Sequence, residues 1–170
     1  MSIAEKIVHE LITQKLTIST AESCTGGLIG ASITDISGAS AVYNMGFITY
    51  SNDAKAELLG VDANIIKKYG AVSWQTAEQM ANGARLHAKS DISVAVTGIA
   101  GPKSYDTNKP VGLVFIGLCC EKGCFVVENH FGEYKTREKI RNLTKEKALE
   151  LVYECVTDYD LFIKSNKFAN

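Results

Sequence analysis

Thr20-Ala-Glu-Ser-Cys-Thr-Gly-Gly27 gathers a carboxylate, hydroxyls, a thiol and two glycines at one junction. It follows the β-branched run Leu16-Thr-Ile-Ser-Thr20 and precedes the apolar stretch Leu28-Ile-Gly-Ala-Ser-Ile33, which reads as a helix. Ser23 and Thr25 are candidate nucleophiles or helix caps. Gly26 and Gly27 let the backbone approach a ligand closely. A helix starting there offers N–H groups and a positive dipole end to an anion or a developing oxyanion. The plainer reading is a capped helix after a glycine turn.

Two further stretches have the same character. In Tyr50-Ser-Asn-Asp-Ala-Lys55, a lysine falls in the first turn of a helix capped by Ser51 or Asn52. The dipole disfavours a cation there, and partial burial would depress the lysine's pKa, so Lys55 is a candidate base. A solvated surface lysine is the ordinary alternative. Tyr50 could donate a hydrogen bond nearby or simply pack. In Thr97-Gly-Ile-Ala-Gly-Pro102, the glycines and proline make a rigid turn whose N–H groups suit phosphate, or else an ordinary hairpin loop. His9, His87 and His130 belong to no recognisable Ser-His-Asp pattern, so Lys55 is the better partner for Ser23. Neither a P-loop nor a G-x-G-x-x-G fingerprint is present.

The elements that must position these turns follow from periodicity. Helices are expected over 3–14, about 25–34, 54–59, from Asp62 to Gly70, from Ser73 to about Lys89, and over about 136–159. Ile3, Ile7, Val8, Leu11 and Ile12 share a face of the first. Ala77, Met80, Ala81, Ala84 and Leu86 should face the core from the fifth. Strands are expected over 16–20, 46–50, 92–97, 111–118 and 124–131. Helices interleaved with apolar strands argue for α/β layers, and successive strands near the end imply antiparallel pairing there. The expected fold is one three-layer α/β/α domain over residues 1–170 with a mixed, mainly parallel sheet. Each of the three polar turns leaves the carboxyl end of a strand, where ligands bind in open α/β sheets.

Composition narrows the partners. At 170 residues the chain can bury a substantial core, and 46% hydrophobic with 22% charged residues is ordinary for a globular protein. A formal net charge of −1 gives no electrostatic reason to expect nucleic acid or an anionic membrane. No apolar run is long enough to span a bilayer, and Met1-Ser-Ile-Ala-Glu-Lys lacks the features of a signal peptide. A cytoplasmic location is the default expectation. The cysteines are Cys24, Cys119, Cys120, Cys124 and Cys155, with no C-x-x-C spacing. Cys119 and Cys120 must point to opposite faces of a strand. Reduced, mostly buried thiols are expected, rather than a metal site or disulfides.

In order and spacing, Thr20–Gly27, Gly38-Ala-Ser40, Thr49-Tyr-Ser-Asn-x-x-Lys55, Leu59-Gly-Val61, Gly70-Ala-Val-Ser73, Thr97–Pro102 and Lys109-Pro-Val-Gly112 resemble the CinA C-terminal domain family. The likeness runs from about residue 5 to 155. It implies hydrolysis of the carboxamide of nicotinamide mononucleotide to nicotinic acid mononucleotide and ammonia, a step that returns a product of NAD breakdown to NAD synthesis. It implies a small-molecule substrate, no metal or organic cofactor, and a homo-oligomer. Residue by residue, Ser23 would be the nucleophile, Lys55 its base and Tyr50 an orienting or relay group. Glu22, Cys24, Thr25, Gly26, Gly27, Thr97, Gly98, Gly101 and Arg137 would line the substrate, with Arg137 or Arg141 toward its phosphate or an adjoining subunit. The sequence departs from the family at Lys103-Ser-Tyr-Asp-Thr107, where a glycine pair is usual, and at Lys135-Thr-Arg137, where Gly-Asp-Arg is usual. The alternative is therefore a nucleotide-binding or regulatory member that has lost turnover, linked to competence or DNA damage.

Overall fold

The computed structural model describes residues 1–105, 108–132 and 134–165. In chain order the elements are α1 (Ile3–Gln14), β1 (Ile18–Glu22), α2 (Leu28–Thr34), β2 (Tyr43–Ile48), α3 (Asn52–Leu59), α4 (Ala63–Tyr69), α5 (Trp74–Ala88), β3 (Ile92–Gly98), β4 (Leu113–Cys120), β5 (Gly123–His130), α6 (Arg137–Thr157) and α7 (Tyr159–Ser165). A single-turn 3₁₀ segment at Ala39–Ala41 precedes β2.

The strands form one sheet in the order β2-β1-β3-β4-β5. β1 pairs in parallel with β2 and β3, while β3–β4 and β4–β5 are antiparallel. The sheet is mixed as expected, but parallel pairings make up half of it rather than most. β1, β3 and β4 are buried almost throughout, because helices cover both faces of the sheet. Ile7, Leu11, Ile29, Ile33, Ile140 and Val152 pack one face against Ile18, Val94, Val96 and Ile116. Leu59, Ile66, Met80, Ala81 and Ala84 pack the other against Ala21 and Ala95. Thus α1, α2 and α6 form one outer layer and α3, α4 and α5 the second.

Capping explains most boundaries. The Ser2 hydroxyl accepts from Glu5 N–H and the Glu5 carboxylate from Ser2 N–H, a reciprocal capping box. Ser51, Asp62, Ser73 and Thr136 each accept from a backbone N–H at the start of their helix. Gly60 closes α3 in the left-handed region.

Some expectations are corrected. β1 ends at Glu22 rather than Thr20, so the first turn starts two residues later. The last long helix ends at Thr157, close to its expected end, but a short helix α7 that was not expected follows it, begun by the Asp158 carboxylate, which accepts from Leu161 N–H. Leu86 is 60% exposed, because nine residues on from Ala77 is two and a half helical turns, on the opposite face. The cysteines are not all reduced thiols, since Cys119 and Cys124 form a disulfide. The tight β4–β5 hairpin places them directly opposite in register, and a spacing of five residues gave no such signal without that register. Cys119 does face away from Cys120: the first packs with the α5 layer, the second with the α6 layer.

Candidate active site

β1, β2 and β3 run in the same direction, so the turns after Glu22, Ile48 and Gly98 share one edge of the sheet. α2 leaves that edge toward one face and α3 toward the other, so the turn from Ser23 to Gly27 lies between the two layers at the carboxyl end of β1. Ser23 continues β1 by donating its N–H to the Val96 carbonyl at 3.1 Å, and its own carbonyl accepts from Gly26 N–H. Gly26 (φ 62°) and Gly27 (φ 108°) then bend the chain into α2 through backbone angles that side chains rarely adopt.

Glu22 holds this turn. Its Oε2 accepts from Thr25 Oγ1 at 2.6 Å, Gly27 N at 3.0 Å and Ile29 N at 3.1 Å, and its Oε1 from Gly30 N at 2.8 Å. The carboxylate is buried, and it satisfies N–H groups that the start of a helix would otherwise leave bare. The anion at the α2 N-terminus is thus the protein's own side chain. The Thr25 hydroxyl is spent on the same carboxylate.

Lys55 arrives from the other face. Its side chain is only 1% exposed, although the residue sits in the first turns of α3. Nζ donates to the Thr49 carbonyl at 2.7 Å and to Ser23 Oγ at 3.1 Å. Two donor bonds and, among the described residues, no carboxylate partner leave the ammonium poorly compensated, and burial pushes its pKa down to about 8. Ser23 is itself buried, with 9% of its surface exposed. Burial pushes the Cys24 thiol the opposite way, up to about 12, so it stays protonated near neutral pH and is a poor nucleophile.

The third turn and α6 close the rim. Arg137 donates from Nη1 to the Gly101 carbonyl and from Nη2 to the Tyr50 hydroxyl, both at 2.8 Å, tying the turns after β2 and β3 together. Tyr50 is 63% exposed, and among the described residues its hydroxyl bonds to Arg137 rather than to Ser23 or Lys55. One helical turn further, Arg141 donates to the carbonyls of Cys24 at 3.1 Å and Thr25 at 2.8 Å. The Thr97 hydroxyl donates to the Ala71 carbonyl, and Gly98 packs so closely on Val114 that a Cβ would collide with it. Lys103 and the fully exposed Tyr105 stand in the loop beyond, whose Asp106 and Thr107 lie outside the described residues.

The structure therefore brings Ser23 and Lys55 into contact, surrounds them with Glu22, Cys24, Thr25, Gly26 and Gly27, and joins Tyr50, Gly101 and Arg137 at the rim. The acceptor role of the Thr49 carbonyl had no signal in the sequence, since a backbone group carries none. The Thr49 hydroxyl is buried without a partner among the described residues. The turn-holding role of Arg141 was equally hidden: the resemblance offered this arginine to a phosphate or an adjoining subunit, and the carbonyls it binds here carry no signal in the sequence.

The CinA C-terminal domain family model matches residues 1–156. A protein of Caldicellulosiruptor bescii named as competence-damage inducible is 46% identical over 158 residues, which are 92% of this chain and 38% of the relative. A CinA-like protein of Geobacter metallireducens is 48% identical over 136 residues, 79% of this chain and 32% of the relative. The chain thus spans well under half the length of these curated relatives. Among solved structures, the competence/damage inducible protein CihA of Agrobacterium tumefaciens superposes with a TM-score of 0.81 at 44% identity, covering 89% of this chain and 94% of that one. The competence damage-inducible protein A of Klebsiella pneumoniae gives 0.88 at 27% identity, covering 93% and 97%. With a family match over nearly the whole length and solved structures of like fold at up to 44% identity, the chain belongs to the CinA C-terminal domain family.

Proposed function

We propose that the chain is an amidohydrolase of small nucleotides that converts nicotinamide mononucleotide to nicotinic acid mononucleotide and ammonia. The observation that carries this reading is the 3.1 Å contact between Ser23 Oγ and the Nζ of a buried Lys55 whose pKa is lowered to about 8. A lysine poised near neutral pH can take a proton, and a serine within its reach can become a nucleophile. The substrate identity is carried over from the family resemblance. The geometry supports the reaction class.

In the proposed reaction Ser23 Oγ attacks the carboxamide carbon as its proton passes to neutral Lys55. The tetrahedral adduct needs donors for its oxyanion. The N–H groups of Gly26, Gly27, Ile29 and Gly30 are already bonded within the chain, so we assign this task to others of the same turn, among those of Cys24, Thr25 and Leu28. Lys55 returns the proton to the departing nitrogen, the C–N bond breaks, and ammonia leaves an ester on Ser23. Water, deprotonated by Lys55, hydrolyses the ester to the carboxylate and restores the hydroxyl. Glu22 and Arg141 are positioning residues that hold the turn. Arg137 and the turn from Thr97 to Gly101 are assigned to the nucleotide end, where the arginine's planar fork suits a phosphate.

Purified protein incubated with nicotinamide mononucleotide should release ammonia and nicotinic acid mononucleotide in equal amounts. Binding of the nucleotide without ammonia would favour a member that retains recognition and has lost turnover. Lys103 and Tyr105, in place of the usual glycine pair, are the residues that would be responsible. Neither binding nor ammonia would remove both readings.

A further inference from the structure

Cys120 and Cys155 lie far from the catalytic turns. β4 runs antiparallel to β3, so Cys120 ends its strand near Ile92, at the edge of the sheet opposite Ser23. Cys155 is in the last turn of α6 and packs beside it. Both line a cavity of about 330 Å³ together with Arg85, Asp91, Lys122 and Tyr159. Arg85 is held there by its Nε bond to the Asp91 carbonyl at 3.0 Å, and the Lys122 ammonium lies 4.1 Å from the centre of the Tyr159 ring. The cavity thus sets the partly exposed Cys120 and the buried Cys155 among two cations, Arg85 and Lys122, and two carboxylates, Asp91 and Glu121. The other cysteines lack this setting: Cys24 is buried, and Cys119 and Cys124 are joined on the opposite face of the sheet.

We propose that Cys120 and Cys155 form a reversible thiol oxidation site, with Cys120 the thiol attacked by hydroperoxides and Cys155 the partner that resolves it. The two thiols are unequal. Cys120 is partly exposed, and donation from the Cys155 thiol, the N–H groups of Lys122 and Gly123, and the charge of Arg85 favour its thiolate. Cys155 is buried, and its thiol is held in the protonated form by Cys120 and by burial. That division of labour suits a nucleophile and a resolving thiol.

The chemistry balances with a hydroperoxide as the oxidant. The Cys120 thiolate attacks the terminal peroxide oxygen, the O–O bond breaks, and the alcohol or water leaves after taking a proton. Cys120 is oxidised by two electrons to the sulfenic acid while the peroxide is reduced. The Cys155 sulfur then attacks the sulfenic sulfur, the S–O bond breaks, and water leaves with the Cys155 proton. The product is a Cys120–Cys155 disulfide, which an added dithiol can reduce.

The test treats the full chain with a small molar excess of hydrogen peroxide at neutral pH, blocks remaining thiols, and maps the peptides by mass spectrometry. A Cys120–Cys155 linked peptide is expected, reversed by dithiothreitol. In Cys155→Ser protein, Cys120 should instead be trapped as a dimedone adduct, and in Cys120→Ser neither product should form. Because a variant could fail to fold, the wild-type protein is also alkylated with iodoacetamide, where Cys120 should react about tenfold or more faster than Cys24. Linkage of Cys120 to Cys119 or Cys124, first oxidation at Cys24, equal alkylation rates, or two free thiols after peroxide would each overturn the proposal.

Discussion

At the scale of the residue, two atoms 3.1 Å apart carry the proposed chemistry. Ser23→Ala should reduce ammonia release by on the order of 10³-fold or more while the protein stays folded, as steady-state assays and circular dichroism would show. The Ser23 backbone makes the bonds that shape the turn, and these survive the change. Lys55→Arg should be equally inactive, because a guanidinium keeps its proton and does not fit the volume of an ammonium. The pH dependence has a definite sign. The base works when neutral, so wild-type activity should rise with pH along a limb centred near the lowered pKa of about 8. Stability follows the same group. Between about 8 and the ordinary value of 10.5 the unfolded lysine holds a proton that the folded one has released. Unfolding then takes up a proton, so stability rises with pH across this window. The unfolding free energy of wild type should therefore gain on that of Lys55→Met between pH 8 and 10. Urea titrations at several pH values would measure it, and a constant difference would place Lys55 in solvent.

At the scale of the element, the junction of β1 and α2 depends on one buried carboxylate. Glu22→Gln keeps the shape but replaces an acceptor with an amide that donates, against N–H and O–H donors already aimed at it. Stability should fall by roughly 2–3 kcal/mol, read from the urea midpoint, because hydrogen bonds to a charged group are lost and donors are left buried. α3 has a comparable dependence on α5. Gly83 lies against the Leu59 carbonyl, and a Cβ there would collide with the backbone at the end of α3. Gly83→Ala should cost about 1–3 kcal/mol by overpacking. It should also lower kcat, because α3 can move away only by shifting Lys55 from Ser23. Near-normal kcat in Gly83→Ala would show that α3 adjusts without moving its lysine.

At the scale of the molecule, the site exists because two outer layers meet at one sheet edge. α2 belongs to one layer and α3 to the other, and Arg137 and Arg141 of α6 bind the turns from the first layer. A ligand bound at that edge, as proposed, would contact groups from both layers, so it should stabilise the whole fold. With Ser23→Ala protein and nicotinamide mononucleotide at a hundred times its Kd, the gain should be about 2.7 kcal/mol, visible as a rise of several degrees in Tm. No change in Tm at saturating nucleotide would argue that this nucleotide is not the substrate.

Local chemistry in the sequence determined much of this protein by itself. The caps at Ser51, Asp62 and Ser73, the stop at Gly60 and the apolar periodicity of α1 act between neighbours a turn apart, so they are legible without a fold. The same holds for the candidate pair: Ser23 sits beside glycines after a strand, and Lys55 in a first helical turn where a cation is out of place. Contacts between distant segments were decided only by the tertiary structure. That Lys55 meets Ser23, that Arg137 bridges Gly101 and Tyr50, and that Arg141 holds the Cys24–Thr25 backbone all depend on where chain segments cross. The Cys119–Cys124 bond depends on hairpin register, and the exposure of Leu86 on which face of α5 meets the sheet. Periodicity reports that a face is apolar. Packing settles which neighbour covers it, because burial is a property of two surfaces, and the sequence of one element describes only its own.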